Sequence, residues 1–355
     1  MVFCTLFDSN YLDKGLVLFD SLKKVVDDFK LYVIAFDDKC YEVLSDIADK
    51  RIVPISMKEF ETEELLIAKS NRTRGEYCWT CSCFSIAYVL DNYEDICTYI
   101  DADLYFYSNP QCVIDEMIEH DCQVQIIEQR LDNRRISREL TKKMGKYCIE
   151  FNTFTNDSNS RKVLRWWQDR CLECCTASPD GKVFGDQKYL DDWLERFESI
   201  NVVENVGAGV APWNIANYII KFDENSALYS AEHLVSGKKN ELVFYHFHDV
   251  TFVDEKIVDI GVYNQAAHTE EEMVKLIYYP YIKQILSKRK MLAEKYNIHF
   301  LGKQTHRSSL VDMLKISRLK SMLIKIKGYS LVGLLQFAWY QKNRKKNIID
   351  IQDLI

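Results

Sequence analysis

Glycine and proline are scarce in this sequence, with 12 Gly and 5 Pro among 355 residues. So low a content excludes collagen-like chains and long linkers of low complexity. Long apolar runs are also missing: the late candidate LVGLLQFAW, at residues 331–339, has about half of the roughly 18 residues that a membrane span requires. The first residues, MVFCTLFDSNY, contain no basic segment and no small-residue cleavage site. We therefore expect no secretory signal and a cytoplasmic protein that is soluble or peripherally bound to a membrane.

Glycine-rich phosphate loops are absent as well. No GxGxxG follows the first strand-like segment, and GxxxxGK[ST] occurs nowhere in the sequence. This disfavours a dinucleotide-binding protein and a P-loop NTPase. If the protein binds phosphate groups, their charge must be neutralised in another way, and a metal ion is the obvious candidate.

The composition is that of an ordinary globular protein with a surplus of aromatic residues: 47% apolar, 13% aromatic and 28% charged. At roughly 150 residues per domain, the length predicts about two domains. A single large α/β domain with an added helical part is equally allowed.

The 12 cysteines are scattered, apart from two clusters at residues 78–83 and 171–175. Without a secretory signal, reduced thiols are expected. Both clusters lie in apolar, aromatic patterns typical of helices rather than in paired CxxC knuckles. They are therefore predicted to be buried thiols, and a metal or redox role remains the alternative.

Charge is distributed unevenly along the chain. Residues 283–346 contain 16 Lys or Arg and two acids, a net charge of +14, so the rest carries −21 of the total of −7. An acidic body argues against a nucleic-acid-binding protein. Within the basic part, residues 311–327 show the spacing of an amphipathic helix with a cationic face. This region is predicted to contact an anionic membrane, to pack on its own domain, or to bind nucleic acid.

The first half alternates between strand-like and helical segments. The strand-like segments are residues 2–7, 31–36, 52–55, 96–100 and 122–127. The helical segments are residues 12–29, 41–48 and 79–90. This alternation predicts an α/β fold with a mostly parallel sheet covered by helices on both faces. Such sheets bind ligands beyond the carboxyl ends of their strands.

The strongest chemical signal is Asp101-Ala102-Asp103, in ICTYIDADLYFYSNP. An apolar strand runs directly into two carboxylates separated by one small residue. In a turning backbone, two such carboxylates can converge on one divalent cation, which can bridge the phosphates of a nucleotide diphosphate. A solvated acidic turn is the alternative, but Asp101 continues an apolar strand and would need a partner.

These motifs resemble those of the GT-A glycosyltransferases, which use nucleotide sugars, and in particular a family-8-like bacterial branch. Besides YIDADLYFYSNP, the similar segments are FCTLFDSNYLDKGLVLFDSL, EYCWTCSCFSIAYVL, FGDQKYLDDW, GAGVAPWNIANY and FYHFHD. The resemblance covers roughly residues 1–265. It implies a GT-A, Rossmann-like catalytic domain at 1–265, followed by a basic helical region at 266–355.

The resemblance also implies a set of site residues. Those expected to bind the donor nucleotide are Thr5, Phe7, Asp8, Asn10, Tyr11, Lys69, Arg72, Asp101 and Ala102. Those expected to hold the metal, Mn²⁺ or Mg²⁺, are Asp101, Asp103 and His246. Those expected to lie near the sugar or the acceptor are Asn152, Gly209, Trp213, Asn214 and His248. Asp186 and Gln187 are expected to contact the donor sugar near the anomeric carbon.

Several of these residues also have structural interpretations. Asp186 can be a helix N-cap, Trp213 can anchor its loop, and Arg72 can belong to a solvated loop. Either His246 or His248 can be a hydrogen-bonded core residue. The chain departs from its relatives at Cys148, where Asn is common, so the assignment of residues 146–156 stays open.

The implied reaction is metal-assisted transfer from a UDP-sugar to a glycan or lipid-linked acceptor in bacterial surface polysaccharide synthesis, with retention of configuration. A sugar-nucleotide nucleotidyltransferase is an alternative, although FCTLFDSNY lacks the glycine-rich loop that such enzymes need. A non-catalytic carbohydrate-binding protein of the same fold and a membrane-surface adaptor are the others. The sequence does not identify the sugar or the acceptor.

Overall fold

A computed structural model describes residues 1–131, 135–177, 182–262, 269–300 and 344–354. The predicted amphipathic helix at 311–327 and the apolar segment at 331–339 lie outside the described residues.

The described strands and helices follow the predicted alternation through the first half. The strands are β1 (Val2–Phe7), β2 (Lys30–Ala35), β3 (Ile52–Ser56), β4 (Ile96–Ile100), β5 (Leu104–Phe106), β6 (Val124–Glu128), β7 (Tyr147–Thr155), β8 (Ile200–Val202), β9 (Tyr218–Asp223), β10 (Leu228–His233), β11 (Lys239–Glu241), β12 (Phe244–His246), β13 (Thr251–Phe252), β14 (Ile257–Asp259) and β15 (Ile348–Asp350). The α-helices are α1 (Leu12–Val25), α2 (Asp38–Ser45), α3 (Met57–Phe60), α4 (Glu63–Ser70), α5 (Arg74–Asn92), α6 (Gln111–Glu119), α7 (Arg135–Met144), α8 (Ser158–Glu173), α9 (Trp193–Arg196) and α10 (Glu271–Tyr296).

Seven strands form the central sheet, in the order β3-β2-β1-β4-β7-β6-β8. All neighbouring pairs are parallel except those of β7, which runs antiparallel to both β4 and β6. The predicted α/β class with a mostly parallel sheet is therefore confirmed. The antiparallel β7 was not predicted, and it lies directly beside the strand that ends at Asp101.

Helices cover both faces of this sheet, because β1, β2 and β4 carry apolar residues on both sides. One core contains buried residues of α1, α2 and α6, among them Leu16, Val43 and Val113. The other contains buried residues of α5, α8 and α9, among them Trp167 and Trp193. Burial on both faces leaves the strand ends as the places where polar groups can gather.

The first cysteine cluster lies on α5 and the second at and just after the end of α8, and these two helices pack against each other. Cys81, Cys83, Cys171 and Cys175 are buried, as predicted, whereas Cys78 and Cys174 are half-buried. Burial raises the pKa of Cys81 and Cys83, so these thiols stay protonated. Within the described part of the chain, neither cluster forms a group of potential metal ligands.

The described residues after 269 pack on earlier parts of the chain. Helix α10 lies against α1, and β15 pairs with β14. Basic side chains of α10 form ion pairs with acidic residues: Arg289 Nε lies 2.6 Å from Asp13 Oδ2, and Lys295 Nζ lies 2.7 Å from Asp46 Oδ2. These pairs favour intramolecular packing for this portion of the basic region. Among the described helices, none combines the length and apolarity that a bilayer crossing demands.

The pair between Arg289 and Asp13 gives a test of this packing. Asp13 is 1% exposed, so Arg289→Leu leaves a buried carboxylate without its counter-ion. We expect the free energy of unfolding, measured by urea denaturation, to fall by about 3 kcal/mol. Lys290→Leu is the matched control, because the Lys290 side chain is 77% exposed and its replacement should cost under about 0.5 kcal/mol. Equal losses in both variants would contradict the assigned role of the buried pair.

Candidate functional site

The acidic pair lies at the carboxyl end of β4, near the middle of the central sheet. Asp101 follows the last residue of β4, and Asp103 precedes β5. The buried Ala102 separates them, and the backbone N–H of Leu104 donates to Asp101 O at 3.2 Å, which closes the turn. Because β4 is parallel to β1, this edge of the sheet is also where the loop after β1 begins. Ligands of open α/β sheets bind at such an edge.

The short β12 brings His246 to this pair. Strand β12 pairs antiparallel with β5, so that His246 stands opposite Leu104. His246 Nε2 lies 3.1 Å from Asp103 Oδ1 and 3.7 Å from Asp101 Oδ2. Asp101, Asp103 and His246 thus form a group that could hold one metal ion. Two carboxylates and one imidazole suit a hard or borderline divalent cation such as Mn²⁺ or Mg²⁺.

Two further charged residues belong to this cluster. Lys14 of α1 is 7% exposed, and its Nζ lies 3.8 Å from Asp103 Oδ2. Glu150 of β7 is fully buried, and its Oε2 lies 2.6 Å from His246 Nδ1. Lys14 was not predicted as a site residue, and Glu150 lies in the segment 146–156, whose assignment the sequence left open. Lys14 and Glu150 join the cluster through contacts between segments that are distant in the sequence. The sequence features that could have pointed to them are a lysine in an apolar helix and a glutamate in an apolar strand.

The cluster carries more negative than positive charge in a buried place. Burial, together with Asp103 and Glu150, raises the pKa of Asp101 to about 8, although His246 acts against this. For Asp103, burial is outweighed by His246 and Lys14, which hold its pKa well below the usual range. Burial alone would lower the pKa of His246, but Asp103 and Glu150 raise it well above the ordinary value. The raised pKa values mean that Asp101 and His246 retain protons, which offset the negative charge of the carboxylates. A bound divalent cation can take the place of these protons.

An aromatic loop lies beside the histidine. The Trp213 ring centroid is 5.2 Å from that of His246 and 5.7 Å from that of His248. His248 is exposed, and its Nε2 lies 3.5 Å from Asp249 Oδ1. Trp213 Nε1 has no hydrogen-bond partner among the described residues.

Gly209 and Asn214 shape this loop. Gly209 has φ +78°, and a Cβ there would stand 2.6 Å from Ile127 Cδ1 and 3.2 Å from Glu150 Oε1. Asn214 is buried; its Oδ1 accepts from Ala211 N, and its Nδ2 donates to Gln129 O and Gly209 O. The amide of Asn214, which sequence analysis placed near the sugar or the acceptor, is therefore occupied in holding the loop.

The loop after β1 contains the exposed part of the predicted nucleotide site. Asp8 Oδ1 accepts from Asn10 N at 2.9 Å, and Asp8 forms an ion pair with Arg74. Tyr11 is 37% exposed, and Lys14 Nζ lies 4.4 Å from its ring centroid. Tyr11 therefore connects this loop to the acidic cluster through Lys14.

The remaining residues assigned to nucleotide binding have other surroundings. Thr5 is a fully buried residue within β1, and Phe7 belongs to the apolar core. Arg72 donates to Thr80 Oγ1 and, at 2.6 Å, to Leu172 O, so it joins α5 to α8. Lys69 Nζ lies 2.6 Å from Glu61 Oε1. Neither the Arg72 nor the Lys69 side chain has a described contact with the acidic pair, and Arg74 is the arginine that reaches the β1 loop.

Asp186 and Gln187 stand at the start of a short 3₁₀ helix, Gln187–Asp192. Asp186 is buried and forms no capping bond; its carboxylate accepts from Ser82 Oγ instead. Burial raises the pKa of Asp186 to about 7. Gln187 Nε2 donates to Met144 O at 2.8 Å. The N-cap interpretation of Asp186 is therefore wrong for this side chain.

Asn152 is a further buried polar residue, on the strand beside the one that ends at Asp101. It stands opposite Tyr99 in the β4–β7 pair, and Tyr99 donates its hydroxyl proton to Asp101 Oδ1 at 3.1 Å. Asn152 is fully buried, yet neither atom of its amide has a hydrogen-bond partner among the described residues. Unsatisfied buried amides cost free energy, so this one is suited to a polar ligand or a water molecule.

Comparison with known proteins gives two curated relatives and several solved structures. The chain is 32% identical over 284 residues to the uncharacterized protein YfnD of Bacillus subtilis (strain 168), covering 79% of this chain and 87% of the relative. It is 27% identical over 302 residues to the uncharacterized protein YfnF of the same strain, covering 83% and 96%. A solved galactosyltransferase, LgtC, in complex with donor and acceptor sugar analogues, is similar at 12% identity and a TM-score of 0.49, over 81% of this chain and 96% of that one. No family model matches the sequence.

Proposed function

The chain belongs to the family of the Bacillus subtilis protein YfnD, and we propose that it is a metal-dependent glycosyltransferase of the GT-A type. The observation that carries the proposal is the junction of Asp101, Asp103 and His246 at the carboxyl end of β4. An oxygen-rich divalent site at this edge, in a fold without a phosphate loop, suits a nucleotide diphosphate sugar. The family-8-like sequence motifs agree with this geometry.

In this proposal the donor is a UDP-sugar, and Asp101, Asp103 and His246 hold Mn²⁺ or Mg²⁺. When bound, such an ion stabilises the negative charge that develops on the departing diphosphate. Lys14 holds Asp103 in place and adds a positive charge beside the phosphates. Asp8, Asn10 and Tyr11 line the nucleotide.

Other residues are proposed to contact the sugars. Asp186 and Asn152 are buried groups for sugar hydroxyls, and Gln187, which follows Asp186, donates to Met144 O. Trp213 and His248 offer an aromatic face and an exposed imidazole to the acceptor. The acceptor is a glycan or lipid-linked glycan of a bacterial surface polysaccharide, and we expect retention of configuration.

A melting experiment with UDP tests this function. The protein should be stabilised by UDP only when Mn²⁺ is present, because the acidic pair and His246 would hold the ion and the ion would supply the positive charge that the diphosphate needs. At a UDP concentration of about 100 Kd, the stabilisation should be about 2.7 kcal/mol. A panel of nucleotide sugars with Mn²⁺ should then release UDP. No response to UDP with Mn²⁺ would favour a non-catalytic protein, and release of UMP would indicate a nucleotidyltransferase.

We propose that residues 1–265 form the catalytic domain and that the basic region at 266–355 contributes to contact with an anionic membrane surface. Deleting everything after residue 310 would remove β15, whose Ile349 is buried. A loss of vesicle binding in the truncated protein would then not be distinguished from a loss of folding. Replacing Lys315, Arg318 and Lys320 by Gln avoids this. Each lost charge should weaken binding to vesicles rich in phosphatidylserine by about 1 kcal/mol. Unchanged sedimentation with such vesicles would contradict the membrane role.

A further inference from the structure

Glu150 occupies an unusual place, since it is a carboxylate with no exposed surface in the middle of a sheet strand. Its Oε2 lies 2.6 Å from His246 Nδ1, on the side of the imidazole that faces away from the acidic pair. The same ring turns Nε2 toward Asp103 Oδ1, at 3.1 Å. One imidazole therefore spans two carboxylates, and its two nitrogens have different partners.

The backbone of Glu150 contacts the acidic pair as well. The N–H of Asp101 donates to Glu150 O at 3.3 Å, because antiparallel β7 runs beside β4 and pairs Phe151 with Ile100. Glu150 is thus bonded through its main chain to Asp101 and through its side chain to His246. Glu150 of β7 thereby connects Asp101, at the end of β4, with His246 of β12.

Only one of the two carboxylate oxygens of Glu150 has a hydrogen-bond partner among the described residues. Its other oxygen, Oε1, has no hydrogen-bond partner among the described residues. A Cβ at Gly209 would stand 3.2 Å from that oxygen and 2.6 Å from Ile127 Cδ1, so the space around Glu150 Oε1 is closely packed. Burying a carboxylate with one free oxygen costs free energy, and an apolar residue would pack there at a lower cost.

We propose that Glu150 is a positioning residue for the metal ligand His246, an inference that rests on the proposed function. Its carboxylate accepts the Nδ1–H of the imidazole, which fixes the tautomer and would leave the Nε2 lone pair free to ligate the ion that Asp101 and Asp103 would hold. A carboxylate behind a ligating histidine also makes the imidazole a stronger donor. Three carboxylates, Asp101, Asp103 and Glu150, are then balanced by the Lys14 ammonium and one divalent cation. Without Glu150 the occupied site would carry an excess positive charge.

Binding of Mn²⁺ alone tests this role without any sugar substrate. Glu150→Leu should lower Mn²⁺ affinity, measured by calorimetry, by about 10-fold to 100-fold, and the imidazole nitrogen coupling to Mn²⁺ in pulsed EPR should disappear. Glu150→Gln retains an oxygen that can accept the Nδ1–H, so it should keep the nitrogen coupling and lose less affinity. Glu128→Gln is the matched control, because Glu128 is a half-buried carboxylate on the neighbouring β6, paired with Lys146. Its Mn²⁺ affinity should equal that of the native protein.

The native protein supplies a second measurement, in case Glu150→Leu does not fold. In the Mg²⁺-loaded protein, the ¹⁵N spectrum of the imidazoles should show His246 protonated at Nδ1 and not at Nε2. The opposite tautomer, or unchanged affinity and nitrogen coupling in both Glu150 variants, would overturn the positioning role while leaving the metal site intact. Failure of the native protein to bind Mn²⁺ would instead overturn the proposed function together with this inference.

Discussion

Asp103→Asn is expected to lose at least about 100-fold in metal-dependent UDP affinity and in sugar transfer. The substitution keeps the volume of the side chain and removes its charge. Asp103 lies closer to His246 Nε2 than Asp101 does, at 3.1 Å against 3.7 Å, and it is the residue that Lys14 contacts. Its charge therefore serves both the ion and the phosphates. Calorimetry with UDP, with and without Mn²⁺, measures the first effect, and a coupled assay of UDP release measures the second.

The fold of this variant should remain intact. Asp101 and Glu150 still flank His246, whereas His246 and the buried Lys14 lose the charge of Asp103. We expect the free energy of unfolding in EDTA to fall by about 1 to 3 kcal/mol, which leaves the protein folded, because Lys14 and His246 lose a charged partner. Asp95→Asn is the matched control, because Asp95 is an exposed residue immediately before β4, at the opposite end of the same strand. Native UDP affinity in Asp103→Asn, or an equal loss in Asp95→Asn, would contradict the metal site.

The sequence predicted the parts of the fold that depend on local pattern. Strands β1, β2, β3 and β4 and helix α5 follow from alternating apolar runs and helical spacing, and each lies within a few residues of its predicted position. The acidic pair followed from the same reasoning, because an apolar run that ends in two carboxylates predicts a strand end. Local pattern also predicted burial of the cysteines at 81 and 83 on α5.

The rest of the site depends on pairings that no local pattern records. Strand β7 is apolar along most of its length and does not reveal its antiparallel direction, so the proximity of Glu150 to His246 was not predicted. Lys14 is one of several polar residues of α1, and its burial depends on packing between elements distant in the sequence, such as that of α1 beside β5. The segment at 185–192 has a glycine before apparent helical spacing, so a helix capped by Asp186 was one of its two interpretations, beside contact with the donor sugar. The structure has a 3₁₀ helix there, with Asp186 turned into the interior.

Asp186→Asn should produce a protein that is more stable and less active than the native one. Burial raises the pKa of Asp186 to about 7, whereas the unfolded chain keeps the ordinary value near 3.8. The folded state therefore holds its proton more tightly, and the free energy of unfolding falls as the pH rises from about 4 to about 7. Asparagine has no charge to bury, so it does not lower the stability of the folded state at high pH, and its oxygen can still accept from Ser82.

Near pH 8, urea denaturation in EDTA should show Asp186→Asn to be more stable than the native protein by about 2 to 4 kcal/mol. Near pH 5 the gain should shrink by more than half, because the native carboxyl group is then protonated in the folded state. Transfer activity should fall by about 10-fold to 100-fold, since a charged hydrogen bond to a sugar hydroxyl contributes about 1.5 to 3 kcal/mol. Asp192→Asn, at the other end of the same 3₁₀ helix and with a side chain that is 43% exposed, should change neither quantity by a comparable amount. A pH-independent difference in stability would show that the carboxyl group of Asp186 is not the source of the gain, and full activity in Asp186→Asn would remove this residue from the donor-sugar pocket.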